Sequence, residues 1–245
     1  MIDLDTTAAE AFLHERAGSR IARAWLAAQS AADTAKDKDA ALRPAIFRTT
    51  LVERFDDGWR FTATDTYWTA CAWVGDIIDR EEEIPRYHDL PAAGELPLTS
   101  VSVVDHEYRI RDLLSFVVRR TAKVDATHPD TPLVVAIASG RSPSTPTLDP
   151  LFDRDRVLVE IPEIETVAGY VNEVEYPNVA RIHDQHRPED SGSLEHVQLN
   201  PDLLRKLAKS CSTVGAEGLR FAFHGDPTKP LSWSVVQPAE AVLFG

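Results

Sequence analysis

The chain has 245 residues, 43% of them hydrophobic and 27% charged, which is enough apolar material for one large or two ordinary packed domains. Its 39 acidic against 26 basic residues give a formal charge of −13, which repels nucleic acid over most of the surface and confines any phosphate contact to local patches. No apolar run reaches the roughly 18 residues of a membrane span and no basic-then-apolar leader opens the chain, so a soluble cytoplasmic protein is expected.

Thr7 and Glu10 have capping-box spacing, and the proline-free, Ala-rich stretch that follows predicts a helix from there to about Ala28. At about 100° per residue, Arg16, Arg20 and Arg23 fall on one side, and Ala17, Ile21, Trp25 and Ala28 on the other. Strands are expected over 45–54, 59–64 and 68–74, with Asp57-Gly58 as a hairpin turn, and again over 100–104. A second helix over 105–123 buries Ile110, Leu114, Val117 and Thr121, and carries Arg109, Arg111, Arg119, Arg120 and Lys123 against the single acid Asp112.

Strands at 133–138, 157–161 and 166–174 lead to a polar stretch over 181–193, which is a candidate boundary. Residues 1–178 are therefore expected as a first domain and 179–245 as a second, incomplete one. The third helix opens with Asn200 as N-cap and Pro201 in its first turn. It buries Leu203, Leu204, Leu207 and Cys211 and exposes Arg205, Lys206 and Lys209, and strands at 219–224, 231–236 and 241–244 follow it. Cys71 and Cys211 sit in apolar periodic stretches and read as core thiols.

The three polar helix faces hold three, five and three cations, eleven of the chain's 26 basic residues, in an otherwise acidic protein. Such sorting suits a phosphate-facing surface; the plainer alternative is three solubilising faces. The order of elements reads as a repeated βαβββ unit, an α+β arrangement in which each helix covers a sheet face and turns its other side outward.

Residues 58–70, Gly-Trp-Arg-Phe-Thr-Ala-Thr-Asp-Thr-Tyr-Trp-Thr-Ala, resemble the bacterial sliding clamp family, the β subunit of DNA polymerase III. Ala63-Thr64-Asp65 matches the family's strand end, while Thr66 stands in place of its glycine and Trp68 in place of its arginine. Glu175-Tyr176-Pro177-Asn178 is similar to the segment that closes a clamp domain. From Val197 the strand, the Asn-capped helix, Lys229-Pro230-Leu231 and Ala241-Val242-Leu243-Phe244 follow the family's last half-domain, without its usual Met-Pro.

This resemblance implies a short or divergent clamp with the DNA-clamp (processivity) fold, antiparallel sheets outside and helices inside. It implies no enzymatic activity and no cofactor. The implied partners are double-stranded DNA, held without regard to sequence, and a DNA polymerase and clamp loader that dock through short peptides. The family's homo-oligomeric rings have six domains: the chain length suits a trimer, three helices per chain suit a tetramer, and an incomplete domain suits no ring. The peptide groove of the family maps onto Thr64, Thr66, Tyr67, Trp68 and Thr69 on one wall, Pro177 and Ile182 on the connector, and Val242 and Leu243 at the last strand. Trp68, Val242 and Leu243 read equally as core.

Phosphate loops, nucleophile elbows and paired-cysteine zinc spacings are absent from the sequence. His183, Asp184 and His186 form its one dense group of potential metal ligands, which reads as a solvated loop before it reads as a hydrolase centre. Ser139-Gly140-Arg141 reads as a turn rather than an anion site. Two functions of different class remain, a clamp that encircles DNA and a peptide-binding adaptor with the same fold and no closed ring.

Overall fold

Ten antiparallel strand pairings join eleven strands into a single sheet in the computed structural model of the chain. The structure describes residues 10–14, 18–32, 44–56, 58–65, 68–75, 97–105, 108–121, 133–138, 156–161, 164–172, 174–179, 181, 199–222, 231–236 and 242–244. In chain order the elements are β1 (Glu10–His14), α1 (Gly18–Gln29), β2 (Thr49–Arg54), β3 (Gly58–Thr64), β4 (Thr69–Gly75) and β5 (Thr99–Val104). They continue with α2 (Arg109–Thr121), β6 (Leu133–Ala138), β7 (Arg156–Ile161), β8 (Glu165–Val171), α3 (Pro201–Thr213), β9 (Gly218–Ala222), β10 (Ser232–Val236) and β11 (Val242–Phe244).

The lateral strand order is β1-β6-β7-β8-β5-β2-β3-β4-β11-β10-β9. Two βαβββ units are legible in it. The first is β1-α1-β2-β3-β4 and the second β5-α2-β6-β7-β8, and each unit's opening strand pairs with the other's second strand: β1 with β6, and β5 with β2. That reciprocity is the signature of a two-fold related pair of units. A third set, α3-β9-β10-β11, extends the sheet where β11 pairs with β4, aligning Val242 with Trp73 and Phe244 with Cys71.

All three helices lie against one face of the sheet. Strand residues alternate sides, and the set Trp59, Phe61, Ala63, Ala70, Ala72, Val74, Trp233 and Leu243 shares one core with Ile21 and Trp25 of α1, Ile110 and Leu114 of α2, and Leu207 and Cys211 of α3. Trp25 stacks on Phe61 with ring centroids 5.4 Å apart, and Trp59 lies parallel to Phe61 at 6.2 Å. Helix α1 is the middle one, packed against both α2 and α3 as well as β3 and β4. Its alanines explain how it fits there: Ala22, Ala24, Ala27 and Ala28 are wholly buried, and a methyl side chain lets the helix backbone approach its neighbours from several sides. Where α2 crosses β8, Gly169 admits it, since a Cβ there would stand 2.6 Å from Ile110 Cδ1 and 2.9 Å from the Val104 carbonyl oxygen.

The opposite face has its own small core of Phe55, Cys71, Trp73, Val179 and Phe244, with Tyr176 packed on it. Glu53 and Arg60 face each other across β2 and β3 and form a buried two-pronged ion pair, Nε to Oε2 at 2.7 Å and Nη2 to Oε1 at 3.1 Å. The Arg60 guanidinium also lies 4.8 Å from the centre of the Phe55 ring. Thr62 Oγ1 donates to Cys71 Sγ, and burial pushes that thiol from its ordinary 9.0 up to about 12.

The raised thiol pKa has a direct consequence. Its stabilising effect is complete below pH 9, where folded and unfolded thiols are both neutral, and is lost as pH rises toward 12, because only the unfolded thiol ionises in that window. Urea denaturation between those limits should lose about 1.4 kcal/mol per pH unit more for the native sequence than for Cys71→Ala; parallel pH profiles would refute the assignment.

Three sequence expectations need correction: residues 45–48, expected as the start of a strand, form a 3-10 turn entered from Pro44 and closed by Thr49 Oγ1, which donates to the Ile46 carbonyl, so β2 begins only at Thr49. The stretch from Glu10 is strand β1, paired with β6, and α1 starts only at Gly18; tertiary pairing outweighs the local Ala-rich propensity, and Thr7 and Ala17 lie outside the described residues. Leu204, expected in the core, is exposed, while Leu207 and Cys211, one and two turns on, are buried as expected. Both cysteines are free and buried.

Candidate nucleic-acid interface

With the sheet behind them, the three helices present their remaining sides outward, and those sides are unequal. On α2 the exposed residues are Arg109, Asp112, Phe116, Arg119 and Arg120, while Ile110, Leu113, Leu114 and Val117 face the sheet. The helix is anchored at its start by Asp105, whose carboxylate accepts the amide N–H groups of Ile110 and Arg111, and Gln29 Nε2 of α1 donates to the same group. Tyr108 at this entry has a φ of 60°, and the Arg111 guanidinium lies over its ring at 5.7 Å. Arg119 Nε donates to the Ser115 carbonyl, which holds that side chain along the helix.

On α3 the N-cap is as expected: Asn200 accepts the Asp202 amide, and Pro201 fills the first turn. Arg205 pairs with Asp202 on the surface, Lys209 is exposed, and Lys206 reaches across to the buried Asp65 carboxylate at 3.4 Å. Lys206 is therefore a strut between α3 and the β3–β4 turn.

Helix α1 offers the least. Arg20 and Arg23 are half-buried because α2 and α3 flank the helix, and Arg23 Nη1 donates to the Thr213 carbonyl at the end of α3. Arg16 and Lys123 lie outside the described residues. Among the described helix residues, the cations left facing outward are thus Arg109, Arg119 and Arg120 on α2, and Arg205 and Lys209 on α3.

The groove residues divide. Trp68 is buried against Trp233, with ring centroids 6.1 Å apart, and Leu243 is 0% exposed in the helix-side core. Those two are core side chains, not open walls; the Trp that stands for arginine in the family motif fills the space between the third set of strands and the first unit. The β3–β4 turn is closed by Asp65, whose Oδ1 accepts the Trp68 amide, and by Thr64 Oγ1, which donates to the Trp68 carbonyl. Thr69 and Pro177 are partly exposed, but Tyr176 and Val179 beside Pro177 pack on the face away from the helices. Thr66, Tyr67 and Ile182 lie outside the described residues, as does the side chain of Val242. His183, Asp184, His186 and Ser139-Gly140-Arg141 lie outside them as well, and no cluster of three potential metal ligands occurs among the described residues.

One feature of this face escaped the sequence reading: Phe116 is 41% exposed amid the arginines of α2. The signal was present, since it lies three and four residues before Arg119 and Arg120 and four after Asp112, all on one helix face.

No family model matches the sequence, and no curated protein matches it. Solved structures do. A sliding clamp from Pseudomonas aeruginosa, bound to griselimycin, superposes with a TM-score of 0.55 at 12% identity, over 100% of this chain and 67% of the clamp. A DNA polymerase III β subunit from Thermotoga maritima gives 0.51 at 13% identity, over 100% and 66%. One from Eubacterium rectale gives 0.50 at 10% identity, over 100% and 66%. The chain spans about two thirds of the length of these proteins. Its architecture, two reciprocal βαβββ units and a third helix-and-strand set with all helices on one sheet face, is the DNA-clamp fold of the bacterial sliding clamps.

Proposed function

We propose that the protein is a non-catalytic DNA sliding clamp, whose helices line a bore around duplex DNA while its sheet forms the outer wall. The observation that carries this reading is the outward set Arg109, Arg119, Arg120, Arg205 and Lys209 on two helices of one sheet face, in a chain of net charge −13. Arginine and lysine side chains on a helical lining meet phosphates without reading bases, which permits sliding. An acidic exterior discourages DNA from binding on the outside.

Ring closure is part of the proposal. Among the described residues the strand order ends in β1 on one side and β9 on the other, so each subunit carries two different edge strands. Pairing one subunit's β9 with the next subunit's β1 is a head-to-tail contact, and such contacts close into rings when the rotation allows. Residues 1–178 form the complete domain in this reading and 179–245 an incomplete one. A polymerase and loader would dock by short peptides beside the β4–β11 junction, where Thr69 and Pro177 keep partial exposure.

The test is topological retention. Loaded on nicked circular DNA, the protein should stay bound through a high-salt wash and slide off once the circle is linearised, and light scattering should give an oligomer. A stable monomer with equal loss from circular and linear DNA would reject the ring in favour of the peptide-binding adaptor.

A further inference from the structure

We propose that the outward face of α2 also engages unpaired DNA bases, with Phe116 as the stacking platform and Tyr108 as a second ring. The inference rests on the DNA-binding reading above and adds a substrate class to it. Phe116 is exposed, and the residues around it on the same face at helical spacing are Arg109, Asp112, Arg119 and Arg120. Three cations against one acid attract a polyanion, and the phenyl ring stands exposed among them.

The chemistry narrows the ligand. Phosphates satisfy the guanidinium groups but offer nothing to an aromatic ring, and in an intact duplex the base faces are already stacked on one another. A single-stranded stretch presents both anionic backbone and free base faces, the combination that basic grooves with aromatic platforms recognise. Tyr108, half-buried just before α2, lies at its entry with the Arg111 guanidinium over its ring. Its left-handed backbone, φ 60°, is a conformation a glycine adopts without strain and a tyrosine does not.

Fluorescence anisotropy on the full chain, with labelled oligothymidine and a blunt duplex of equal length across a salt series, tests the proposal. Phe116→Ala should weaken oligothymidine binding roughly tenfold, the range of one lost base stack, while leaving the salt slope and the duplex affinity as they were. Phe116→Tyr should retain binding, and Phe116→Leu, apolar but unable to stack, should behave like alanine. Unchanged oligothymidine affinity in Phe116→Ala, equal losses on both DNAs, or full activity in Phe116→Leu would each overturn it. So would a drop in particle mass on substitution, which would make Phe116 a subunit contact. Failure of the native protein to bind either DNA would reject the clamp reading itself, whereas normal duplex binding with indifference to residue 116 rejects only this inference.

Discussion

Arg60→Ala should cost about 3–5 kcal/mol of folding stability, the largest loss expected from any single polar substitution in this chain. The pair it breaks is buried on both sides, with side chains 9% and 8% exposed, so the Glu53 carboxylate would be left buried without its two-pronged partner. The Coulombic energy of the pair is not the reason, because desolvation offsets most of it. The cost comes from stranding one ion. Replacing both residues, with Glu53→Leu and Arg60→Met, should therefore recover most of the stability, and equilibrium urea unfolding of the single and double variants reads the difference. A single-variant loss below about 1 kcal/mol would mean that water reaches Glu53.

This ion pair also illustrates what the sequence withheld. Glu53 and Arg60 sit in strands whose existence is readable from β-branched and aromatic content, and β3, β5, β6 and β10 fall within a residue of expectation at each end, whereas β2 starts four residues late. Their pairing partner across the Asp57-Gly58 turn follows from the hairpin. That the side opposite the helices is also covered does not follow from the strand pattern, because Tyr176 and Val179, which pack there, come from beyond the end of β8.

The helices divide in the same way. The start of α3 is legible because Asn200 and Pro201 are local signals whose meaning does not depend on the rest of the fold. The start of α1 is not, because β1 exists only through pairing with β6, more than a hundred residues away. Charge segregation is readable on α2 and α3, whose outer sides meet solvent. On α1 the flanking helices leave Arg20 and Arg23 half-buried, and Arg23 becomes a tie to the end of α3. Trp68 and Leu243 repeat the point: a motif places them at a partner groove, and packing against Trp233 places them in the core.

What the remaining outward cations do can be read from salt alone. Each phosphate contact contributes about 0.9 to the slope of log affinity against log salt for duplex DNA, through release of condensed counterions. Arg109→Ala, Arg119→Ala and Arg120→Ala combined should lower that slope by about 2.7 per subunit engaged. Between 50 and 200 mM salt, native binding should then fall roughly 40-fold further than binding by the triple variant, a difference that filter binding or anisotropy resolves easily. All three side chains are exposed, so urea midpoints should stay close to native and separate lost contact from lost fold. Arg23→Ala and Lys206→Ala should do the reverse: they remove a tie to the Thr213 carbonyl and to Asp65, lowering stability with little effect on the slope. A triple variant with a native salt slope would show that the arginine face of α2 does not meet the phosphate backbone, and the proposed bore would lose its lining.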